Sequence, residues 1–201
     1  ADPEGFIGCL VDGQMAAGIS AIRYGSNFGF IGLYIAHPDF RGRGYGRRVW
    51  DAGMAHLKNR TIGLDGVREH LANYRSMGFV PDCETFRRGG KLEGKTDPDI
   101  CSLEDIDPAS LIAFGAECFA ERRAAFLQAW LALPRQTKVL IRDSAICGYA
   151  VARQCHEGYK IGPLFAVDSD AATTLLFACA AEVEGQLIHI DVPADQAKFS
   201  A

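Results

Sequence analysis

The sequence IGLYIAHPDFRGRGYGRRVW, residues 31–50, contains the end of an apolar run, a glycine-rich turn and the start of a helix. The apolar run from Phe28 to Ala36 predicts a buried strand, which the His37 to Asp39 segment ends. The glycine-rich residues 41–46 open a helix that the pattern extends to about Leu57. The stretch therefore predicts a strand, a loop and a helix, and the rest of the chain is interpreted around it.

The junction between this strand and helix has the features of a phosphate-binding loop. The first amides of a helix lack intrahelical acceptors and lie at the positive end of its dipole, so they can bind phosphate oxygens. Glycines at positions 42, 44 and 46 let the backbone approach such a group closely. Positive charge is added by four arginines, which are Arg41, Arg43, Arg47 and Arg48. The junction is therefore predicted to bind a small phosphate-bearing anion.

Two motifs carry a resemblance to a known family. Arg41-x-x-Gly44-x-Gly46 after a strand resembles the Arg/Gln-x-x-Gly-x-Gly/Ala signature of the GNAT superfamily, the acetyl-CoA-dependent N-acetyltransferases. Downstream, Tyr74-Arg-Ser-Met-Gly78-Phe79 resembles the Tyr-x-x-x-Gly-Phe end of the family's fourth helix. The wider sequence around these motifs resembles a GNAT branch whose members carry a second, degenerate GNAT-like domain.

The resemblance implies a cofactor site and a catalytic acid. It places the CoA pyrophosphate on the loop and the pantetheine arm on the preceding strand. The candidate acetyl-CoA-binding residues are then Tyr34, Ile35, Ala36, Arg41, Gly42, Arg43, Gly44, Tyr45 and Gly46. It makes Tyr74 the acid that protonates the departing thiolate, although a tyrosine that only packs the helix is the alternative. Many members have Asn seven residues before this tyrosine, where this chain has Val67, so that contact is not carried over.

The general base is left open, because the strand before the loop contains no carboxylate. Asp65, Tyr34 and His37 are the candidates, and a water chain without a dedicated base is a further alternative. Each candidate has a structural interpretation as well, since His37 can simply end the strand and Asp65 can be a turn residue.

The predicted fold class is α/β (α+β), with a mixed, mainly antiparallel GNAT-type sheet flanked by helices in each of two tandem GNAT-like domains. With 48% hydrophobic residues, the 201-residue chain suffices for two domains of about 100 residues each. The first, residues 1–92, begins with a three-strand meander and lacks the family's usual N-terminal strand and helices. The polar segment Gly89–Pro98 is the linker candidate. We expect the chain to be incomplete at the start of the first domain and at the end of the second, residues 93–201.

The second half repeats the family's order of elements. The predicted helices cover 109–119, 121–133 and 170–182, and the strands cover 138–142, 146–154, 159–165 and 186–192. Asp107 and Pro108 mark a helix start, and the aromatic residues Phe114, Phe126 and Trp130 are predicted core. The loop before the last helix carries carboxylates in place of glycines and arginines, so this domain is predicted not to bind CoA.

Composition narrows the functional classes. A net charge of −4 gives no general attraction to nucleic acid, and no apolar run approaches the length of a membrane span. The seven cysteines have no zinc-site spacing with histidines, so no metal is expected, and as free thiols they favour a cytoplasmic location.

The sequence therefore predicts an enzyme that transfers an acetyl group from acetyl-CoA directly to a primary amine of a small molecule or peptide. A non-catalytic acyl-CoA sensor or assembly module is the alternative. A dinucleotide site is ranked low, because the acidic residue that such a site needs about 20 positions after its loop is missing. A homodimer is left open.

Overall fold

A computed structural model describes residues 2–119, 121–132 and 134–194. The contacts within the chain divide it into two compact units. The first unit contains residues 2–80 with 121–123, and the second contains 81–119 with 124–194. This boundary lies earlier than the sequence predicts, because residues 81–92 belong to the second unit.

The first unit is built on a four-stranded sheet. Its strands are β1 (Phe6–Val11), β2 (Gln14–Tyr24), β3 (Phe28–Ala36) and β4 (Thr61–Leu64). The first three form the predicted antiparallel meander, and β4 pairs in parallel with β3. Asp12 and Gly13 both have positive φ, of 49° and 79°, as a tight hairpin between right-twisted strands requires.

The helices of the first unit are α1 (Tyr45–His56) and α2 (Leu71–Ser76). The crossover from β3 through α1 to β4 is the predicted strand, loop and helix. Helix α1 buries Val49, Trp50 and Gly53 in a core that the sheet completes with Ala17, Ile19 and other small apolar residues. The small side chains of β2 let the helix approach the sheet closely. The predicted helix over 67–77 is shorter than expected, since residues 68–70 form a 3₁₀ turn before α2.

The second unit has a six-stranded sheet. Its strands are β5 (Thr85–Gly90), β6 (Ile100–Ser102), β7 (Gln136–Arg142), β8 (Ala145–Gln154), β9 (Tyr159–Ala166) and β10 (Ile188–Pro193). Their order across the sheet is β5-β10-β9-β8-β7-β6, with β9 and β10 parallel and the other neighbours antiparallel. Strand β5 is the element that the sequence places in the first domain, whereas here it pairs with β10.

The helices of the second unit are α3 (Pro108–Glu117), α4 (Ala124–Leu131) and α5 (Ser169–Glu182). Asp107 caps α3 as predicted, because its carboxylate accepts hydrogen bonds from the amides of Ala109 and Ser110. Helix α4 begins after the predicted start at 121, since residues 121–123 join the first unit. No helix in the described part of the chain combines the length and the apolar character needed to cross a membrane.

Candidate active site

The candidate site lies where β3 and β4 stop pairing. The last parallel pair is Ile31 with Leu64, and β3 continues past it to Ala36. Within the described part of the chain, the edge of β3 that faces β4 therefore has no strand partner over its last residues. Such an edge offers backbone donors and acceptors to an extended ligand.

A bulge interrupts β3 at the start of this open edge. Leu33 has a φ of 48°, which is unusual for a leucine, and the register between β2 and β3 shifts at the same place. A bulge re-aims the backbone groups that follow it. This feature adjoins predicted cofactor contacts at Tyr34, Ile35 and Ala36, and the sequence gives no signal for it.

The glycine-rich loop shapes the start of α1. Gly42 and Gly44 have φ values of 73° and 82°, and Gly44 is the N-cap residue. The Arg48 amide donates to the Gly44 carbonyl at 3.1 Å, which is the first hydrogen bond of the helix. Glycine has no side chain that could cap the helix, so the amides before Arg48 receive no side-chain cap from Gly44. Gly46 lies in close contact with β3, since a Cβ there would lie 3.2 Å from Tyr34 Oη and the tyrosine would have to shift slightly.

The four arginines of the loop have different surroundings. Arg41 Nε donates to the Ala36 carbonyl at 3.2 Å, and the Arg43 guanidinium lies 5.8 Å from the Phe40 ring centroid. Arg47 forms an ion pair with Asp51 at 2.7 Å, so part of its charge is neutralised. Tyr45, the first residue of α1, packs edge-on against Phe40, which precedes the loop. Positive charge at the loop therefore comes mainly from Arg41, Arg43 and Arg48.

Tyr74 lies close to the end of β4. Its ring would be 3.0 Å from a Cβ at Gly66, and its centroid is 6.0 Å from that of Trp50 and 6.3 Å from that of Phe79. Tyr34 also packs against Trp50, with ring centroids 5.2 Å apart. The structure thus brings Tyr74 and Tyr34 together around one tryptophan.

Trp50 is a residue of this site that the sequence interpretation missed. It is 3% exposed and contacts both tyrosines, so it fixes where their rings lie. A signal was present, because Trp50 is four residues after Gly46 and therefore shares its helix face.

The three candidate general bases differ in how readily they could accept a proton. Burial raises the pKa of Tyr34, and the neighbouring Tyr74 raises it further, so Tyr34 stays protonated at neutral pH. His37 Nδ1 accepts a 3.4 Å hydrogen bond from the Asp39 amide, and Asp65 is exposed beyond the end of β4. Of the three, Tyr34 is the least suited to accept a proton.

An apolar cavity of about 520 Å³ adjoins the same strand end. It is lined by residues of β1, β2 and β3 and by the start of the loop, including Ile35, His37 and Arg41. Leu33 and Ile35 are 66% and 59% exposed on this face of the sheet, while Tyr34 and Ala36 pack on the face that α1 covers. Among the described residues, no three His, Cys, Asp or Glu side chains come together in a group that could hold a metal ion.

Comparisons with known proteins show which proteins this chain is similar to. A family model described as "Acetyltransferase (GNAT) family" matches residues 1–80, and one described as "Acetyltransferase (GNAT) domain" matches residues 111–201. Holothin acyltransferase from Pseudoalteromonas sp. (strain SANK 73390) is 33% identical over 199 residues, which is 96% of this chain and 67% of the relative. An uncharacterized protein of Caenorhabditis elegans is 23% identical, over 85% of this chain and 57% of that protein.

Solved structures share the fold. A putative acetyltransferase from Pyrococcus horikoshii matches with a TM-score of 0.74 at 20% identity, over 94% of this chain and 64% of that one. A tandem GNAT protein from the clavulanic acid biosynthesis pathway matches with a TM-score of 0.63 at 14% identity, over 100% of this chain and 78% of that one. The chain thus spans between about half and four-fifths of the length of these four proteins.

Proposed function

The chain belongs to the GNAT acetyltransferase family, and from that premise we propose that it transfers an acetyl group from acetyl-CoA directly to a primary amine. The observation that carries the proposal is the junction of β3 and α1. There, an open strand edge, a bulge and a helix N-terminus capped by Gly44 adjoin one another. Gly42 to Gly46 would hold the pyrophosphate on backbone amides, with Arg41 and Arg43 adding charge.

The chemical step follows from this placement. The neutral amine attacks the thioester carbonyl carbon, a C–N bond forms and the C–S bond breaks. Backbone amides near Ile35 polarise the carbonyl oxygen, and Tyr74 gives its proton to the departing thiolate. The proton lost by the amine passes to water or to a base such as His37 or Asp65. The products are an acetyl amide and free CoA, so atoms and charge balance.

The acceptor is proposed only as a class. An amine on a small molecule or a peptide fits an open site beside an apolar cavity. The relative at 33% identity is named holothin acyltransferase, which makes holothin the first acceptor to screen. We also infer a cytoplasmic location, which a chain with seven cysteines and no described disulfide supports.

The binding half of the proposal is tested by calorimetric titration of acetyl-CoA into the full chain and into Gly44→Glu. The glutamate places a carboxylate where the pyrophosphate would lie, so binding should be lost. Gly13→Glu is the matched control, because Gly13 has nearly the same φ, of 79°, and equally open space around its Cβ position, but lies in the β1–β2 turn. Equal loss in both variants, or binding that survives Gly44→Glu, would contradict the loop assignment.

A non-catalytic acyl-CoA sensor is the second candidate, and a specific observation favours it. Strand β3 (Phe28–Ala36) carries no carboxylate that could act as a general base, and burial keeps Tyr34 protonated. A sensor would bind acetyl-CoA through the same loop but release no CoA with any amine. Turnover with one member of an amine panel decides between the two functions.

A further inference from the structure

A second cavity, of about 500 Å³, lies wholly within the second unit and plays no part in the proposed transfer. It is formed by the end of α4, the starts of β7 and β9 and the end of β8, and its lining includes Trp130, Arg135 and Arg153. The sequence gives Trp130 a core role only. The structure packs it against the core and also exposes it to this cavity.

Two guanidinium groups converge on the Trp130 ring. The Arg135 Cζ lies 4.4 Å from the ring centroid and the Arg153 Cζ lies 5.7 Å from it. The ring itself is fixed, because Phe126 stacks on it at 5.2 Å and its indole N–H donates to the Gly162 carbonyl at 3.2 Å. Cation–π contact therefore holds both arginines in place beside the cavity.

The two arginines have unused hydrogen-bond donors and no counter-charge. Arg135 donates to the Ala129 carbonyl at 3.1 Å, and Arg153 contacts Cys155 Sγ at 3.2 Å. Each guanidinium has five N–H donors, so most of them remain available. Within the described residues, neither arginine forms an ion pair. Two adjacent positive charges without a carboxylate repel each other, and an oxyanion between them would remove that cost.

We propose that this cavity binds a small organic anion, with its carboxylate or phosphate oxygens on Arg135 and Arg153 beside the Trp130 ring. Arginine suits both oxyanions, because its planar fork can donate two parallel hydrogen bonds to either. The proposal requires only that the ligand carries an oxyanion. The experiment below distinguishes a phosphate group from a carboxylate group.

The test is titration of inorganic phosphate and, in parallel, of succinate into the full chain, at an ionic strength held constant with sodium chloride. The chain has two tryptophans, and Trp50 is buried in the first unit, so a saturable change in fluorescence reports on Trp130. Arg135→Gln and Arg153→Gln should each weaken binding more than tenfold. Lys91→Gln, which removes an exposed charge elsewhere in the second unit, should change it less than twofold.

A saturable response to one anion supports the site and identifies its chemistry, and a response to both supports a general oxyanion site. No response beyond that of sodium chloride would overturn the proposal, as would unchanged affinity in both arginine variants. If a glutamine variant does not fold, Arg153→Lys keeps the charge without the planar fork, and intermediate weakening is then expected. The result is independent of acetyl-CoA binding, which is measured separately through Gly44→Glu.

Discussion

Removal of a single hydroxyl, by Tyr74→Phe, tests the proposed chemistry. The ring of Tyr74 packs on Trp50, Phe79 and Gly66, and phenylalanine preserves those contacts. We therefore expect a change of less than about 1 kcal/mol in the free energy of unfolding. Affinity for acetyl-CoA should be unchanged, because the loop and the β3 edge are untouched.

The expected effect on turnover is much larger. General acid catalysis typically contributes about 10²- to 10⁴-fold, so kcat should fall by that factor with an amine acceptor found in the screen. The assay should follow the thioester absorbance rather than a thiol reagent, since exposed cysteines of the chain such as Cys83 would react with the reagent. Tyr24→Phe makes the same chemical change outside the site, at the end of β2, and should leave kcat unchanged.

A change of donor separates proton donation from packing. An acetyl thioester of an aryl thiol has a leaving group that departs without protonation, so parent and Tyr74→Phe should use it at nearly equal rates. A variant that is equally impaired with both donors, or one with undiminished kcat on acetyl-CoA, would refute the role of Tyr74 as the acid.

Three further predictions concern the second unit. The hydrogen bond from Arg87, together with Lys160, holds the pKa of Asp191 at about 2, below its ordinary 3.8. The stabilisation that the ionised Asp191 gives to the folded state is present above pH 3.8 and is lost as the pH falls towards 2. In chemical unfolding at several pH values, Asp191→Asn should therefore lower the free energy of unfolding by about 1–2 kcal/mol above pH 3.8 and by less near pH 2. A pH dependence equal to that of the parent chain would count against the ion pair. Burial raises the pKa of the Cys179 thiol to about 12, so iodoacetamide at pH 8 should not label Cys179 in the folded chain, and early labelling seen by mass spectrometry would contradict its burial. Asp168→Ala removes the N-cap bond to the amide of Ala171, at 2.8 Å, and should cost about 1 kcal/mol in urea unfolding, whereas Asp168→Asn should retain most of the cap.

The elements of the first unit that could be predicted from sequence are those fixed by local chemistry. The β1–β2 hairpin follows from Asp12 and Gly13, two residue types that tolerate positive φ, and β3 follows from an unbroken apolar run. The loop was predictable because its glycines are needed for backbone angles and close approach. In each case the residues that determine the structure are neighbours along the chain.

The features that sequence could not supply depend on distant partners. Strand β5 is largely exposed and polar, and only its pairing with β10, about 100 residues later, assigns it to the second unit. The bulge at Leu33 has no local signal, since leucine rarely adopts positive φ. The cavity at Trp130 joins residues from a helix and three strands, and helical spacing alone indicates only a core position for that tryptophan.

The two units contain the same crossover with opposite electrostatics at its helix start. In each, a strand leads through a helix to a parallel strand, β3 to α1 to β4 in the first unit and β9 to α5 to β10 in the second. At the start of α1, Gly44 leaves the first amides without a side-chain cap, and arginines surround them. At the start of α5, Asp168 accepts from the Ala171 amide and Asp170 pairs with Arg142 at 2.7 Å. Because a capping carboxylate occupies the place that an anion would need and repels it as well, the helix start of the first unit favours an anionic ligand and that of the second disfavours one.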